Sequence, residues 1–282
     1  MWNLPAKELE AGDAIAGYRL EELLGEGGMG LVFRAVRESD GAPVAVKLLK
    51  VDLLADETFT ARFRQEARAA AEVVHPHLLP ILDAGEDDGR HFMAVAYAPG
   101  GSLADRLEGG PLDLDEVVRI ATELASGLDT LNESGIVHRD IKSSNVVFGE
   151  DGGAFLMDFG LAKGPAYTRL TRPGQVMGTL DYLAPELNKG EPATPATDLY
   201  AFGCMVFECV TGEVPFADRG IFQVGLAHLQ DPPPHPSERR EGVSREVGDA
   251  VLAALAKEPG TRPASASAYA RSINAAYEGR SE

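Results

Sequence analysis

Cysteine, tryptophan and long apolar runs are scarce in this 282-residue sequence, which has two Cys and one Trp. Cys204 and Cys209 lie inside one apolar segment, so they support neither a disulfide framework nor a zinc-type Cys/His spacing. They read as small core residues in a reducing compartment. No uncharged apolar stretch approaches the ~20 residues of a membrane span, and the opening MWNLPAKELE lacks the basic-then-apolar order of a secretory signal. Positive charge is also in deficit: 26 Lys and Arg against 44 Asp and Glu give a formal net charge of −18 and a pI near 4.7. That balance argues against nucleic acid or an anionic membrane surface as the main partner. An anionic ligand would need a local cation or a metal ion.

What is present is an ordinary globular composition, 44% hydrophobic and 25% charged, in a chain long enough for two packed lobes. Residues 1–17 read as a loose arm. From Tyr18 short β-like runs follow, with SDGAP at 39–43 as a hairpin turn. Residues 56–74 form a helix ended by His75-Pro76, with Phe59, Phe63, Ala70, Val73 and Val74 on one face. Two more strands, LLPILDAGE and RHFMAVAY, flank a DDG turn at 87–89. After APGGSL at 98–103 the pattern becomes mostly helical to about residue 275. The PPPHP run at 232–236 reads as a stiff surface loop.

Against this layout, LLGEGGMGLVFRA places Gly25, Gly27, Gly28 and Gly30 within six positions. So dense a cluster fits a backbone that turns tightly or approaches something closely: a dinucleotide, a nucleotide's phosphates, or a hairpin with no ligand. Gly30 leads into Leu31-Val32-Phe33, a strand and not a helix, which disfavours the dinucleotide reading. Lys47 stands amid Val44, Ala45, Val46, Leu48 and Leu49, and Glu66 interrupts the apolar stripe of the 56–74 helix. A carboxylate so placed needs a cation or loses its charge, and Lys47 could supply that cation. Farther on come IVHRDIKSSNVVF at 136–148, AFLMDFG ending in Asp158-Phe159-Gly160, and TLDYLAPE ending in Ala184-Pro185-Glu186.

Each fragment alone tells little. Their order does more: Gly-rich loop, strand lysine, helix glutamate, HRD with Asn five residues after the Asp, DFG and APE resemble the protein kinase signature set in full. GEGGMG, HRDIK and Gly178-Thr179 are similar to bacterial members of the eukaryotic-like (Hanks-type) serine/threonine protein kinases, over about residues 18–275. The resemblance implies an α+β, bilobal fold: a small β-rich N-lobe with one main helix over 18–97 and a larger, mostly helical C-lobe over 98–275. It also implies an activation segment over 158–186 and a tail over 276–282.

The resemblance assigns roles to positions. Lys47 would pair with the α- and β-phosphates of ATP and be held by Glu66, under a lid formed by Gly25, Gly27, Gly28 and Gly30. Val32, Ala45 and Val147 would sandwich the adenine ring. Val95 aligns with the gatekeeper, so the Ala96 carbonyl and Ala98 amide would read the adenine edge. Asp140 would act as catalytic base, Lys142 would sit near the γ-phosphate, and Asn145 and Asp158 would ligate Mg²⁺, with Mn²⁺ as the alternative. Asp198 would brace the catalytic loop, and Glu186 with Arg262 would form a structural ion pair. The implied partners are protein substrates with Ser or Thr acceptors, and a second copy of the chain for phosphorylation in trans. The implied location is cytoplasmic, as the kinase domain of a longer protein.

The contrasting reading is a pseudokinase, a nucleotide-binding scaffold; intact Lys47, Asp140, Asn145 and Asp158 weigh against it. A small-molecule phosphotransferase is the third reading, disfavoured by the long segment from Asp158 to Glu186. Two departures from the family pattern stand out. Ala96 replaces a commonly acidic residue, and Ser143-Ser144 replaces a pair that usually contains proline. Within residues 161–178, Thr171 and then Thr168 are the expected autophosphorylation sites, and Pro173 replaces the relatives' neighbouring threonine. A phosphate there could reach an arginine such as Arg139.

Overall fold

The computed structural model describes residues 9–27, 30–50, 57–158 and 180–279, with only the backbone described at 57–59, 62, 221 and 222. The chain divides into two compact units, Met1–Val74 with Leu79–Tyr97, and His75–Leu78 with Ala98–Glu282.

The first unit is built on six strands: β1 (Ala14–Ile15), β2 (Tyr18–Glu26), β3 (Gly30–Arg37), β4 (Pro43–Leu49), β5 (Ile81–Asp87) and β6 (Arg90–Ala96). They form one sheet in the order β1-β2-β3-β4-β6-β5, with every neighbour antiparallel. Side chains alternate between the two faces of a strand. One face therefore collects Leu20, Phe33, Ala35, Val44, Val46, Leu48, Phe92 and Ala94 into a buried core, joined by Ile15 and Tyr18. Helix α1 (Glu57–Ala71) buries Thr60, Phe63, Ala67 and Ala70 and packs on β5, where Arg64 reaches Glu86 at 3.4 Å.

Two sequence expectations change here. The segment read as a loose arm contains β1, whose Ile15 is 3% exposed in the core, and the Gly12 amide donates to the Leu20 carbonyl. The helix stops at Ala71 and not at Val74, which is 86% exposed. The pattern projected a regular helical face past the point where the chain unwinds ahead of Pro76.

The second unit centres on α3 (Leu114–Glu133) and α5 (Pro195–Thr211). Helix α3 buries Val117, Ile120, Ala121, Leu124, Leu128 and Leu131, a stripe at helical spacing, and opens with Asp115 and Glu116 at its positive end. Helix α5 starts on Pro195 within a Thr194/Thr197 capping box and ends at Gly212 in left-handed conformation, φ 81°. Cys204 and Cys209 are 0% and 1% exposed inside it, as small core residues.

Before α3, the short helix α2 (Leu103–Leu107) is started by a Ser102/Asp105 capping box, and the hairpin β7 (Val146–Phe148) and β8 (Ala154–Leu156) follows α3. Beyond α4 (Pro185–Asn188) and α5 lie α6 (Ile221–Gln230), α7 (Pro236–Arg239) and α8 (Arg245–Leu252). Pro236 of the PPPHP run is buried at the first turn of α7, so the run ends in a helix start and not wholly in surface loop. Helix α9 (Ala266–Glu278) packs on α3, where Asp129 accepts the Ala266 and Ser267 amides at 2.8 and 3.0 Å. No helix among the described residues is long and apolar enough to cross a membrane.

Candidate catalytic site

In the first unit, strand register decides which side chains share a face. Val32 pairs with Lys47 and Lys47 with Met93, while Ala45 pairs with Arg34 and with Val95. Directly opposed residues point the same way, so Val32, Ala45, Lys47 and Val95 all lie on the face opposite the core cluster. Gly25 is registered against Val32 on the neighbouring strand. Lys47 on β4 and Glu66 on α1 are both half-buried and both engaged by partners. The Ala96 amide donates to the Pro80 carbonyl at 2.9 Å.

The glycines divide by cause. A Cβ on Gly30 would collide with the Leu48 carbonyl, so that glycine is required by the close pairing of β3 with β4. Around Gly25 the space is open, and the Gly27 amide donates to the Gly30 carbonyl at 2.9 Å in the turn. Gly30 therefore has a need internal to the sheet, whatever the cluster does for a bound phosphate. Gly28 lies outside the described residues.

In the second unit, one carboxylate holds the backbone just before Asp140. Asp198 on α5 accepts from the His138 amide at 2.7 Å, the Arg139 amide at 2.8 Å and the Asn132 side-chain amide at 3.1 Å. Full burial pushes its carboxyl up, and the donated N–H bonds pull it back. Because each of these contacts is a donor, the arrangement suits the ionised carboxylate. Arg139 sits at φ 63°, a left-handed conformation costing about 1–2 kcal/mol in a non-glycine residue, and the Asp198 bonds hold it there. Asp158 is similarly left-handed, at φ 59°.

His138 is buried, and burial holds its pKa below the usual imidazole range. Its Nδ1 accepts the Asp140 amide at 3.2 Å, which leaves Nε2–H to donate to the Met157 carbonyl at 3.1 Å. The imidazole is thus a neutral strut between the Asp140 loop and the strand end that carries Asp158.

Asp140, Lys142 and Asn145 converge. Lys142 Nζ lies 3.2 Å from Asp140 Oδ2, and Asn145 Nδ2 donates to the same oxygen at 3.1 Å and to the Asp140 carbonyl at 2.7 Å. Both atoms facing the amide are acceptors, so its NH₂ must turn toward Asp140, and its Oδ1 remains as a hard oxygen donor. The Met157 amide donates to the Asn145 carbonyl at 2.9 Å, which places Asp158 one residue beyond that contact. Asn145 Oδ1 and an Asp158 carboxylate oxygen are the donor types that a magnesium-sized cation takes, with phosphate and water completing its shell. Among the described residues no three His, Cys, Asp or Glu side chains converge into a ready-made metal cage. Val147 is half-buried on β7, and Ala98 is half-buried at the start of this unit.

Two structural expectations are met in the same unit. Glu186 and Arg262 form a buried ion pair, and Asp198 clamps the loop. Residues 159–179, and with them Thr168, Thr171 and Gly178-Thr179, lie outside the described residues. A further cluster was missed by the sequence reading: Ser143, Tyr182 and Glu208 meet through their side chains. Its one available signal was Glu208, a lone carboxylate in the apolar run LYAFGCMVFECV.

Comparison with known proteins follows this geometry. The family described as protein kinase domain matches residues 18–273. The chain is 38% identical over 280 residues to the serine/threonine-protein kinase PknJ of Mycobacterium tuberculosis, covering 97% of this chain and 48% of that protein. It is 38% identical over 273 residues to the serine/threonine-protein kinase pkn3 of Myxococcus xanthus, covering 92% of this chain and 49% of that protein. The chain thus spans about half the length of the curated relatives it matches. The crystal structure of the Mycobacterium tuberculosis PknI kinase domain is similar, with a TM-score of 0.77 at 29% identity over 95% of this chain and 100% of that one.

Proposed function

The chain belongs to the protein kinase family, and from that premise we propose that it transfers the γ-phosphate of ATP to Ser and Thr hydroxyls of protein substrates. The observation that carries this reading is the Asp140–Lys142–Asn145 convergence. Phosphoryl transfer demands positioning and charge compensation more than a strong nucleophile. Asp140, oriented by Asn145, accepts the acceptor hydroxyl's proton and fixes that oxygen in line. Lys142, held against Asp140, presents its ammonium to the transferring group. In the first unit, Lys47 supplies the cation for the α- and β-phosphates, with Glu66 as its counter-charge. Val32, Ala45 and Val95 offer the apolar face for the base. In the second unit, Val147 and the Ala98 amide are the residues that the family resemblance assigns to the adenine base.

Asn145 and Asp158 are the residues that would hold Mg²⁺, which when bound offsets charge on the phosphates; Mn²⁺ would find the same oxygens. Lys142, two residues after Asp140, follows the Ser/Thr pattern of HRDIKSSN, where tyrosine-specific relatives resemble HRDLAARN or HRDLRAAN. Autophosphorylation of Thr171, with Thr168 second and a further copy of the chain as the partner in trans, is part of the same proposal.

The test is incubation with radiolabelled ATP with and without a generic protein acceptor. Label in the acceptor supports the reading. Nucleotide binding without transfer indicates a scaffold, and transfer to small molecules alone indicates a different phosphotransferase.

A further inference from the structure

We propose that Ser143 is a positioning residue for the phosphoryl acceptor: with Tyr182 it clasps the Glu208 carboxylate and so fixes the loop carrying Asp140 and Lys142 against the turn at 180–182. The inference rests on the phosphotransfer reading above and concerns a residue which that reading leaves without a role.

The geometry is a carboxylate cupped by two hydroxyls. Tyr182 Oη donates to Glu208 Oε2 at 2.6 Å, and Ser143 Oγ donates to Glu208 Oε1 at 3.2 Å. The two hydroxyl oxygens are 3.1 Å apart. Each hydroxyl has one proton, and each proton goes to a different carboxylate oxygen, so the clasp is complete only with Glu208 ionised. Three separate stretches of chain meet there: the residue after Lys142, the residue after Asp181, and the last turn of α5.

Two of those stretches also wall a concavity, Asp140 and Lys142 from one and Tyr182, Leu183 and Leu187 from the other. On the phosphotransfer reading, the acceptor hydroxyl seats in this concavity beside the Asp140 carboxylate. The spacing between the two walls then sets how well an acceptor peptide seats, and the Ser143–Glu208–Tyr182 clasp ties the walls together. Proline, usual in the family's version of this pair, has no hydroxyl with which to do so.

The clasp titrates. Burial pushes the Glu208 carboxyl above the usual glutamate range, the Tyr182 and Ser143 hydroxyls pull it back, and Asp181 pushes it up again. The other titratable groups coupled to Glu208 are the Cys204 and Cys209 thiols on its own helix, both pushed up by burial and neutral in the working range. As pH falls through the raised Glu208 value, the carboxylate is protonated and one hydroxyl loses its acceptor. Removing the Ser143 hydroxyl removes a bond to the ionised form, so the loss should begin at higher pH.

The experiment compares wild type with Ser143→Ala, Ser143→Pro and Ser143→Thr, using ATP and a Ser-containing acceptor peptide. Ser143→Ala and Ser143→Pro should raise KM for the peptide about three- to tenfold while KM for ATP stays within about twofold. The acid limb of kcat/KM for the peptide should move up by about half to one pH unit. Ser143→Thr, which keeps the hydroxyl, should restore both. Amide hydrogen exchange at 180–184 should quicken in the Ala and Pro variants and not in the Thr variant. An unchanged peptide KM with an unmoved acid limb overturns the positioning role, and unchanged exchange overturns the clasp. A wild type that transfers no phosphate removes the phosphotransfer reading and the acceptor role with it, and the exchange arm still decides the clasp.

Discussion

Arg262 and Glu186 meet in a two-pronged ion pair, at 2.7 and 2.8 Å, with side chains 0% and 4% exposed. Arg262 also donates to the Ala196 carbonyl at 2.7 Å and the Ala256 carbonyl at 2.9 Å, and Thr197 donates to Glu186 at 3.1 Å. The pair joins α4, the start of α5 and the segment before α9. Cutting one partner would strand a buried charge. Arg262→Ala should lower stability by about 3–5 kcal/mol, read as a fall in the urea midpoint. Replacing both partners with apolar residues should cost less. A near-native midpoint for Arg262→Ala would contradict this account of the pair.

The same pair has a pH signature. Burial pushes the Glu186 carboxyl up, but the Arg262 and Thr197 hydrogen bonds more than offset that, and its pKa lies below the usual glutamate value. A folded value below the unfolded one gives stability that is present above the unfolded pKa and is lost as pH falls through the folded one. Urea midpoints should therefore hold near neutrality and decline only below the ordinary glutamate range. In Arg262→Ala this acid-side contribution should be missing.

Asp198 offers a different prediction, because its partners are backbone amides. Asp198→Asn places an NH₂ group where three donors now find acceptors, so at least one N–H is left unpaired, at a cost of about 1–3 kcal/mol. The left-handed Arg139 then loses its restraint. Phosphate transfer should fall further than the stability loss alone explains, since the next residue is Asp140. Activity measured well below the melting temperature, set against the melting curve, separates the two effects. A variant that melts early but turns over normally at low temperature would refute the link.

The glycine cluster gives the simplest contrast. Gly30→Ala should destabilise by about 1–3 kcal/mol through overpacking against Leu48, with or without nucleotide present. Gly25→Ala meets open space and should leave the melting temperature nearly unchanged. Differential scanning fluorimetry on both variants is sufficient. Equal melting temperatures would show that the Leu48 contact does not impose the glycine.

Much of the fold was legible because it is written locally. Gly30 running into Leu31-Val32-Phe33 identified an antiparallel hairpin. The motif order placed Asp140, Lys142 and Asn145 on one loop. What escaped depends on distant partners. β1 exists because Ile15 finds the core of a sheet formed by later strands. Val74 was misplaced because periodicity does not mark where a helix unwinds. The left-handed Arg139 and Asp158 carry no local signal, and Arg139 is held by a carboxylate 59 residues away. The Ser143–Tyr182–Glu208 clasp joins three segments that no motif connects, and a lone glutamate in an apolar helix was its only trace.

Asp140 carries the central claim, and one measurement addresses it directly. Wild type and Asp140→Asn are each given labelled ATP, magnesium and a protein acceptor, with nucleotide affinity measured in parallel. The account predicts phosphoserine and phosphothreonine in the wild-type reaction, and a loss of transfer of about 10²–10⁴-fold in the variant with ATP affinity little changed. Near-normal turnover by Asp140→Asn, or label recovered mainly as phosphotyrosine, would contradict it.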